Sequence, residues 1–216
     1  HHLENAYTAS EDDRIDTRFP VQFVIRPQRA DFPDYRGYAG RVAGGVLRVG
    51  DEVMVLPSGL TSTITGIDSP TGPVDEATPG QAVTVLLADD LSITRGDMIC
   101  RPNNRPRMSQ ELEAMLCWMD DTAPMQPGKI YSIKHTTKVA RTKITEVLYR
   151  LNISSLSRET GINQLAMNEI GRVTLHTTAP LLFDDYHQNR TTGCFIIVDE
   201  TTGQTAGAGM LLSPRT

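Results

Sequence analysis

The stretch from Ala39 to Pro57 reads AGRVAGGVLRVGDEVMVLP, and it decides the class of fold. Short apolar runs alternate here with turn residues, more often than a helix tolerates. Val53 and Val55 lie two residues apart and therefore share one face of an extended strand. Four glycines permit tight turns, through positive φ angles and close backbone approaches: Gly40, Gly44, Gly45 and Gly50. The pattern predicts short β-strands joined by tight turns.

The flanking sequence continues this pattern on both sides. Upstream, Phe19, Val21, Phe23 and Ile25 occupy alternate positions and predict a strand with one buried face. Downstream, further strands are predicted at Ser62–Ile67, Ala82–Leu87 and Met98–Arg101. Short strands with a turn about every 8–12 residues are typical of a closed barrel, in which no strand edge is left exposed.

A turn-rich, basic stretch, Arg101–Arg107, predicts a domain boundary and a hinge. After it, Glu111–Met119 favours a helix by composition and a strand by length, and periodicity leaves both open. The later β-like stretches predict a second barrel: Lys143–Asn152, Gln164–Met167, Gly171–Thr177, Gly193–Asp199 and Thr205–Leu212. We therefore expect an all-β protein with two consecutive closed antiparallel β-barrels, divided into a linker at 1–17 and barrels at 18–103 and 104–216.

Composition restricts the classes of function. The chain has 216 residues and a net charge of −5, so no overall positive field draws it to nucleic acid. Its three cysteines are widely separated, which disfavours a disulfide framework or a zinc knuckle and fits a reducing cytoplasm. No apolar run approaches the roughly 20 residues of a membrane-spanning helix, and the start at His1-His2 does not resemble an export signal. A cytoplasmic protein is expected.

A search for catalytic motifs finds none. Gly128-Lys129 continues into Ile130, so it is not part of a phosphate-binding loop, and the histidines lack the spacing of metal ligands. The basic run Lys134–Lys143 is expected to divide its charge between two faces, with Lys134 and Lys138 opposite Arg141 and Lys143. Asp89-Asp90 and Asp184-Asp185 are interpreted as loop charges or turn caps, because adjacent carboxylates of an extended chain diverge. No catalytic residue, cofactor or metal site is predicted.

The order of motifs nevertheless resembles one family, the GTP-binding large subunit of bacterial sulfate adenylyltransferase, within the elongation factor Tu-like translation GTPases. The resemblance extends from about Phe19 to Leu212. In the first barrel it is carried by Phe19–Pro27, Tyr35–Val42, Arg48–Asp51 and Ile93–Asp97. In the second it is carried by the more specific motifs Asn168–Gly171, Asp184–Ile196 and Ala206–Met210. The resemblance implies that the two barrels are like domains 2 and 3 of elongation factor Tu, and that the GTPase domain is absent.

The resemblance also implies a function. In that family ATP and sulfate form adenosine 5′-phosphosulfate, and GTP hydrolysis drives the reaction. The implied partners are the chain's own GTPase domain, which binds GTP and Mg, the small catalytic subunit and, in some members, a C-terminal adenylylsulfate kinase domain. The barrels themselves are expected to be inactive and to transmit the GTPase state. Arg36, Arg95 and Arg190, beside turn glycines, are candidate contacts between domains or with a partner.

Two alternatives from other classes stay open. One is a translation-factor-like barrel module that binds tRNA. The negative net charge and the motifs of the second barrel disfavour this alternative. The other is an enzyme whose site is assembled from loops. Neither nucleic acid nor membrane is expected as a partner.

Overall fold

The computed structural model describes residues 16–27 and 35–213. Within these ranges the chain consists of strands, turns and loops, without any helix. It follows that these residues contain no helix of the length and apolarity needed to cross a membrane. The expectation of an all-β fold is confirmed.

The first barrel and its extensions contain nine strands. They are β1 (Arg18–Ile25), β2 (Gly37–Arg41), β3 (Leu47–Arg48), β4 (Glu52–Leu56), β5 (Leu60–Ser69), β6 (Gly72–Val74), β7 (Glu76–Ala77), β8 (Ala82–Leu87) and β9 (Met98–Cys100). The order β4-β9-β1-β2-β8-β5 is closed by pairing of β4 with β5. β6 extends β5 as a hairpin, and β3 pairs with β7 separately. All pairings are antiparallel.

Seven strands form the second barrel. They are β10 (Arg107–Trp118), β11 (Ile130–His135), β12 (Lys138–Leu151), β13 (Arg158–Glu159), β14 (Ile170–Phe183), β15 (Cys194–Val198) and β16 (Thr205–Leu212). The order β11-β15-β16-β10-β14-β12 is closed by pairing of β11 with β12, again antiparallel throughout. Glu111–Met119, which the sequence left open, lies almost entirely in strand β10.

Each barrel has its own apolar core, made of the inward-facing side chains of its strands. The first core is centred on residues such as Phe19, Leu47 and Ile99, all fully buried. In the second, the rings of Trp118 and Tyr131 meet edge to face at 5.5 Å between centroids. The indole Nε1 of Trp118 donates to the Ala123 carbonyl at 2.8 Å, which satisfies the one polar atom of that buried ring.

Two strand predictions were wrong. In β1 the register slips between Val21 and Phe23, so Phe23 is 64% exposed instead of sharing the buried face of Phe19 and Val21. A bulge adds one residue to a strand and reverses the faces beyond it. The stretch Gln164–Met167 forms no strand, and only an isolated bridge joins Leu165 to Met125.

The basic run 134–143 is also arranged differently from the prediction. The two-residue turn between β11 and β12 places Lys134 opposite Val139 and Ser132 opposite Arg141. Cross-strand partners share a face, so Lys134, Arg141 and Lys143 all lie on the outer surface. Because the turn starts a new strand, the alternation of inward and outward side chains begins again in β12. The prediction was wrong because it treated the whole run as one strand.

Candidate functional site

A buried ion pair between Arg18 and Asp184 joins the two barrels. The Nε of Arg18 donates to Oδ2 of Asp184 at 2.9 Å, and Nη2 donates to Oδ1 at 2.8 Å. The side chains are 1% and 10% exposed. A planar guanidinium matches a carboxylate through two parallel hydrogen bonds, so this pair fixes orientation as well as distance. The prediction that Asp184 is a loop charge or turn cap was wrong, although Asp185 does accept the His187 backbone N–H at 2.9 Å.

Further hydrogen bonds satisfy the remaining polar atoms of this pair. The Nη1 of Arg18 donates to the carbonyls of Asn104 and Thr17, at 2.8 and 2.9 Å. The hydroxyl of Thr192 donates to Oδ2 of Asp184 at 2.7 Å. A buried charge is tolerated when its partner and its other hydrogen bonds are in place, as they are here.

His135, inside the second barrel, holds the loop between β14 and β15, which contains Asp184 and Thr192. Its Nε2 lies 2.7 Å from the carbonyl oxygen of Thr192. Because a carbonyl only accepts, Nε2 carries the proton of the imidazole. Burial lowers the pKa of His135, so the ring is neutral at pH 7 and acts as a fixed donor.

The loop between β14 and β15 makes a second contact with the first barrel. The amide Nδ2 of Asn189 donates to the carbonyl of Ala43 at 3.0 Å, while its Oδ1 accepts the backbone N–H groups of Thr191 and Thr192. Gly193 closes this loop at a close approach: a Cβ there would lie 2.5 Å from the Cα of Tyr186. Gly193 is not among the residues of positive φ, so its small size is what the loop requires.

An apolar cluster also crosses between the barrels. Leu182 of the second barrel packs with four side chains of the first, Met54, Leu56, Met98 and Cys100. Burial raises the pKa of the Cys100 thiol to about 11, an effect that Arg18 partly opposes. The thiol is therefore protonated at neutral pH and serves as a packing group.

Of the three arginines predicted as contacts, Arg95 lies between the barrels. Its Nε donates to the Thr137 carbonyl of the second barrel at 3.1 Å, and its Nη1 donates to the Gln22 carbonyl of the first at 3.2 Å. The following Gly96, at φ 95°, lets the backbone approach Lys138 closely. Arg95 thus connects the tip of the β11–β12 hairpin to strand β1.

Arg36 and Arg190 lie elsewhere. Arg36 pairs with the exposed carboxylate of Asp90 within the first barrel, and its guanidinium carbon lies 5.6 Å from the centre of the Tyr38 ring. Arg190 is exposed in the β14–β15 loop, and its side chain makes no ion pair or hydrogen bond within the described part of the chain. The structure does not bring the three arginines together.

The contacts across the interface oppose the predicted hinge at Arg101–Arg107. Arg101 and Asn104 form a tight turn with an antiparallel bridge, and the Asn104 carbonyl binds Arg18. A change of angle between the barrels would separate the Arg18–Asp184 pair and expose the cluster around Leu182. Among residues 16–27 and 35–213, no three His, Cys, Asp or Glu side chains are arranged to hold a metal ion. The interface is built to hold two barrels together.

Two family models match the chain. Residues 38–100 match elongation factor Tu domain 2, and residues 111–212 match the GTP-eEF1A C-terminal domain-like family. Crystal structures of sup35 share the fold. The one complexed with GDP has a TM-score of 0.83 at 14% identity, over 100% of this chain and 51% of that one.

Curated relatives match along almost the entire chain. The bifunctional enzyme CysN/CysC of Mycobacterium tuberculosis is 52% identical over 98% of this chain and 34% of the relative. Sulfate adenylyltransferase subunit 1 of Bacteroides fragilis is 40% identical over 97% of this chain and 43% of the relative. The bifunctional enzyme NodQ of Rhizobium tropici is 41% identical over 99% of this chain and 33% of the relative. This chain thus spans less than half of their length.

These matches confirm the resemblance that the sequence motifs indicated. Both barrels carry the domain types of elongation factor Tu-like proteins, and the identity to the subunit 1 relatives runs through both. The chain is therefore a homologue of sulfate adenylyltransferase subunit 1 of the CysN/NodQ type along both barrels, over part of the length of those relatives.

Proposed function

We propose that this chain is the two-barrel region of a sulfate adenylyltransferase large subunit, and that it couples GTP hydrolysis to the synthesis of adenosine 5′-phosphosulfate from ATP and sulfate. In this proposal the barrels bind other parts of the enzyme and catalyse no step themselves. GTP and Mg bind to the GTPase domain, and adenylyl transfer takes place in the small subunit. The match to subunit 1 relatives along both barrels supports the assignment.

The observation that carries the proposal is the buried Arg18–Asp184 pair. It makes the two barrels one body, so a displacement of either barrel by a partner displaces the other as well. A two-state GTPase domain that binds one barrel can then reposition a catalytic subunit that binds the other. A flexible pair of barrels would absorb that displacement in the connection between them.

The tRNA-binding alternative receives little support from the charge distribution. Lys134, Arg141 and Lys143 share the outer face of the second barrel, as a backbone-binding patch requires. However, Glu200 holds the Arg141 guanidinium through two hydrogen bonds of 2.9 and 2.8 Å. The patch also lacks the exposed aromatic side chains on which single-stranded bases stack.

The experiment uses the full-length protein that carries this chain, together with the small subunit. Pyrophosphate release from ATP and sulfate is measured with and without GTP. We expect GTP to stimulate the reaction and charged tRNA to have no effect on it. Retention of charged tRNA on a filter, without any stimulation by GTP, would favour the alternative.

Single alanine variants then test the surface. Arg190→Ala removes an exposed side chain with no partner in the described structure, so a reduced GTP stimulation would report a lost external contact. Arg36→Ala and Arg95→Ala are expected to reduce stimulation as well, while GTP affinity stays unchanged. Arg105→Ala serves as the control, because that exposed guanidinium donates to the Pro102 carbonyl and forms no ion pair in the described part of the chain. If all three variants keep full stimulation, the coupling does not depend on these arginines.

A further inference from the structure

A cleft of about 480 Å³ lies between the barrels, beside the Arg95 contact. The first barrel contributes Gln22, Arg41 and Gly80, and the second contributes Thr136, Thr137 and Thr191. None of the residues that line it is acidic, although the whole protein has a net charge of −5. The volume is in the usual range of small-molecule sites, roughly 300–1,000 Å³.

Arg41 supplies a positive charge whose position is fixed. Its Nε donates to the Gly80 carbonyl at 2.9 Å, which anchors the guanidinium at the edge of the cleft. Within the described residues Arg41 has no carboxylate partner, so its Nη groups are free to donate. Lys138 and Arg190, the chain neighbours of Thr137 and Thr191, are likewise without ion pairs there.

Thr137 supplies a donor that the protein does not use. Its Oγ1 is buried and has no hydrogen-bond partner among residues 16–27 and 35–213. Buried hydroxyls are satisfied in the great majority of cases, because burial of an unsatisfied polar group is unfavourable. The backbone carbonyl of Thr137 accepts a hydrogen bond from Arg95, which holds this residue at the wall of the cleft.

Thr136 is held in an unfavourable backbone conformation at the same place. It has a φ of 49°, in the left-handed region, where a β-branched residue is strained. Two-residue hairpins ordinarily place Asn or Gly at such a position. Strained residues cluster at ligand sites, where their side chains are needed in spite of the strain.

We propose that this cleft binds a small ligand through a sulfate or phosphate group. Arg41 provides the charge, and the Thr137 hydroxyl provides a buried hydrogen bond to an anionic oxygen. Thr136 and Thr191 contribute further hydroxyl donors. A cation is disfavoured because no carboxylate lines the cleft, and a ligand rich in donors would leave the guanidinium without an acceptor. The proposal does not rest on the function proposed above, since it concerns binding by this chain alone.

The experiment is a titration of the full 216-residue chain, followed by amide NMR. Sodium sulfate and sodium phosphate are the probes, in separate titrations at pH 7, with sodium chloride keeping the ionic strength constant. We expect saturable shifts at the amides of Thr136, Thr137 and Gly80 with at least one of the two oxyanions. Saturation with sulfate alone assigns a sulfate group, and saturation with both assigns a tetrahedral oxyanion of either kind.

Two variants and one control separate binding from folding. Arg41→Gln should weaken the affinity by roughly tenfold or more, as the loss of a charge-assisted hydrogen bond implies. Thr137→Val should weaken it by a few-fold, yet leave the melting temperature of the ligand-free chain unchanged or higher, since the lost hydroxyl has no partner. Arg105→Gln, which removes a similarly bonded exposed guanidinium outside the cleft, should bind like the wild type.

Three results would overturn the proposal. Shifts that grow linearly without saturation for both oxyanions would show that no site exists. Equal affinity of Arg41→Gln and Arg105→Gln would show that the cleft is not where the anion binds. A Thr137→Val variant that melts well below the wild type would give that hydroxyl a structural role instead.

Discussion

Arg18 and Asp184 stand 166 positions apart in the sequence and meet in a bidentate ion pair between the two barrels. Arg18 is the first residue of β1, and Asp184 directly follows the end of β14. The pair therefore joins the start of one barrel to a loop of the other, where Thr192 and Asn104 complete its hydrogen bonds. With the Asn189–Ala43 and Arg95–Thr137 hydrogen bonds and the Leu182 cluster, it holds the two barrels together.

Replacing Asp184 with asparagine should destabilise the chain strongly. The buried guanidinium of Arg18 would lose its bidentate partner and keep only the half-exposed carboxylate of Asp16, 3.6 Å from Nη2. Breaking a buried pair costs about 3–5 kcal/mol. Urea unfolding measures the effect. The matched control is Glu76→Gln, which removes an exposed pair with Arg48 and should cost no more than about 1 kcal/mol. Equal losses of stability in the two variants would mean that the buried pair stabilises the chain no more than an exposed one.

Gly193→Ala should be more harmful than an alanine at an exposed turn glycine. The added Cβ would lie 2.5 Å from the Cα of Tyr186 and 2.7 Å from the Asn189 carbonyl oxygen, both of them backbone atoms. Overpacking of this kind costs about 1–3 kcal/mol, and the backbone has little freedom to relax. Gly203→Ala, at φ 73° in open space, isolates the cost of a positive φ, about 1 kcal/mol. A smaller loss at Gly193, by thermal unfolding, would contradict the packing described here.

Phe195 and Phe23 form a matched pair for testing the core. Phe195 is 3% exposed and belongs to the core of the second barrel, whereas Phe23 is 64% exposed beyond the bulge of β1. Phe195→Ala should lose roughly 3–5 kcal/mol of stability through a cavity. Phe23→Ala should stay within about 0.5 kcal/mol of the wild type. If chemical denaturation showed a larger loss of stability for Phe23→Ala than for Phe195→Ala, the bulge in β1 would be misplaced.

Asp199 should give the second barrel an acid-sensitive contribution to stability. The Lys129 ammonium, 2.7 Å away, and the backbone N–H groups of Thr201 and Thr202 lower the pKa of Asp199 to about 2. Since the folded pKa lies below the unfolded value of roughly 3.9, the contribution is complete above pH 4 or so and disappears as pH falls to about 2.

The corresponding measurement compares melting temperatures of the wild type and Asp199→Asn across this pH range. The difference in melting temperature between the two proteins should be largest near neutral pH and should disappear towards pH 2. Asp121→Asn, which removes an exposed carboxylate without an ion pair in the described structure, should show little gap at any pH. A gap that does not change with pH would show that the Asp199 carboxylate is not the group responsible.

Local pattern in the sequence predicted the strands better than the contacts between them. Ala82–Leu87 and Thr205–Leu212 were predicted at the bounds observed, because apolar alternation and turn residues are short-range signals. Phe23 was misplaced because a bulge leaves no mark in an alternating pattern. The role of Asp184 was missed because its partner lies 166 positions away, and nothing in the spacing of residues relates the two. Thr137 was missed because an unsatisfied hydroxyl exists only once both barrels surround it.

Residual dipolar couplings of backbone amides, measured on the 216-residue chain in a weakly aligned medium, show whether the two barrels act as one body. If they do, a single alignment tensor fits the amides of residues 18–25 and 37–100 together with those of residues 107–212, and Asp184→Asn gives the two barrels different tensors. Two tensors of different magnitude in the wild-type chain would mean that the barrels move independently, and would refute their rigid union.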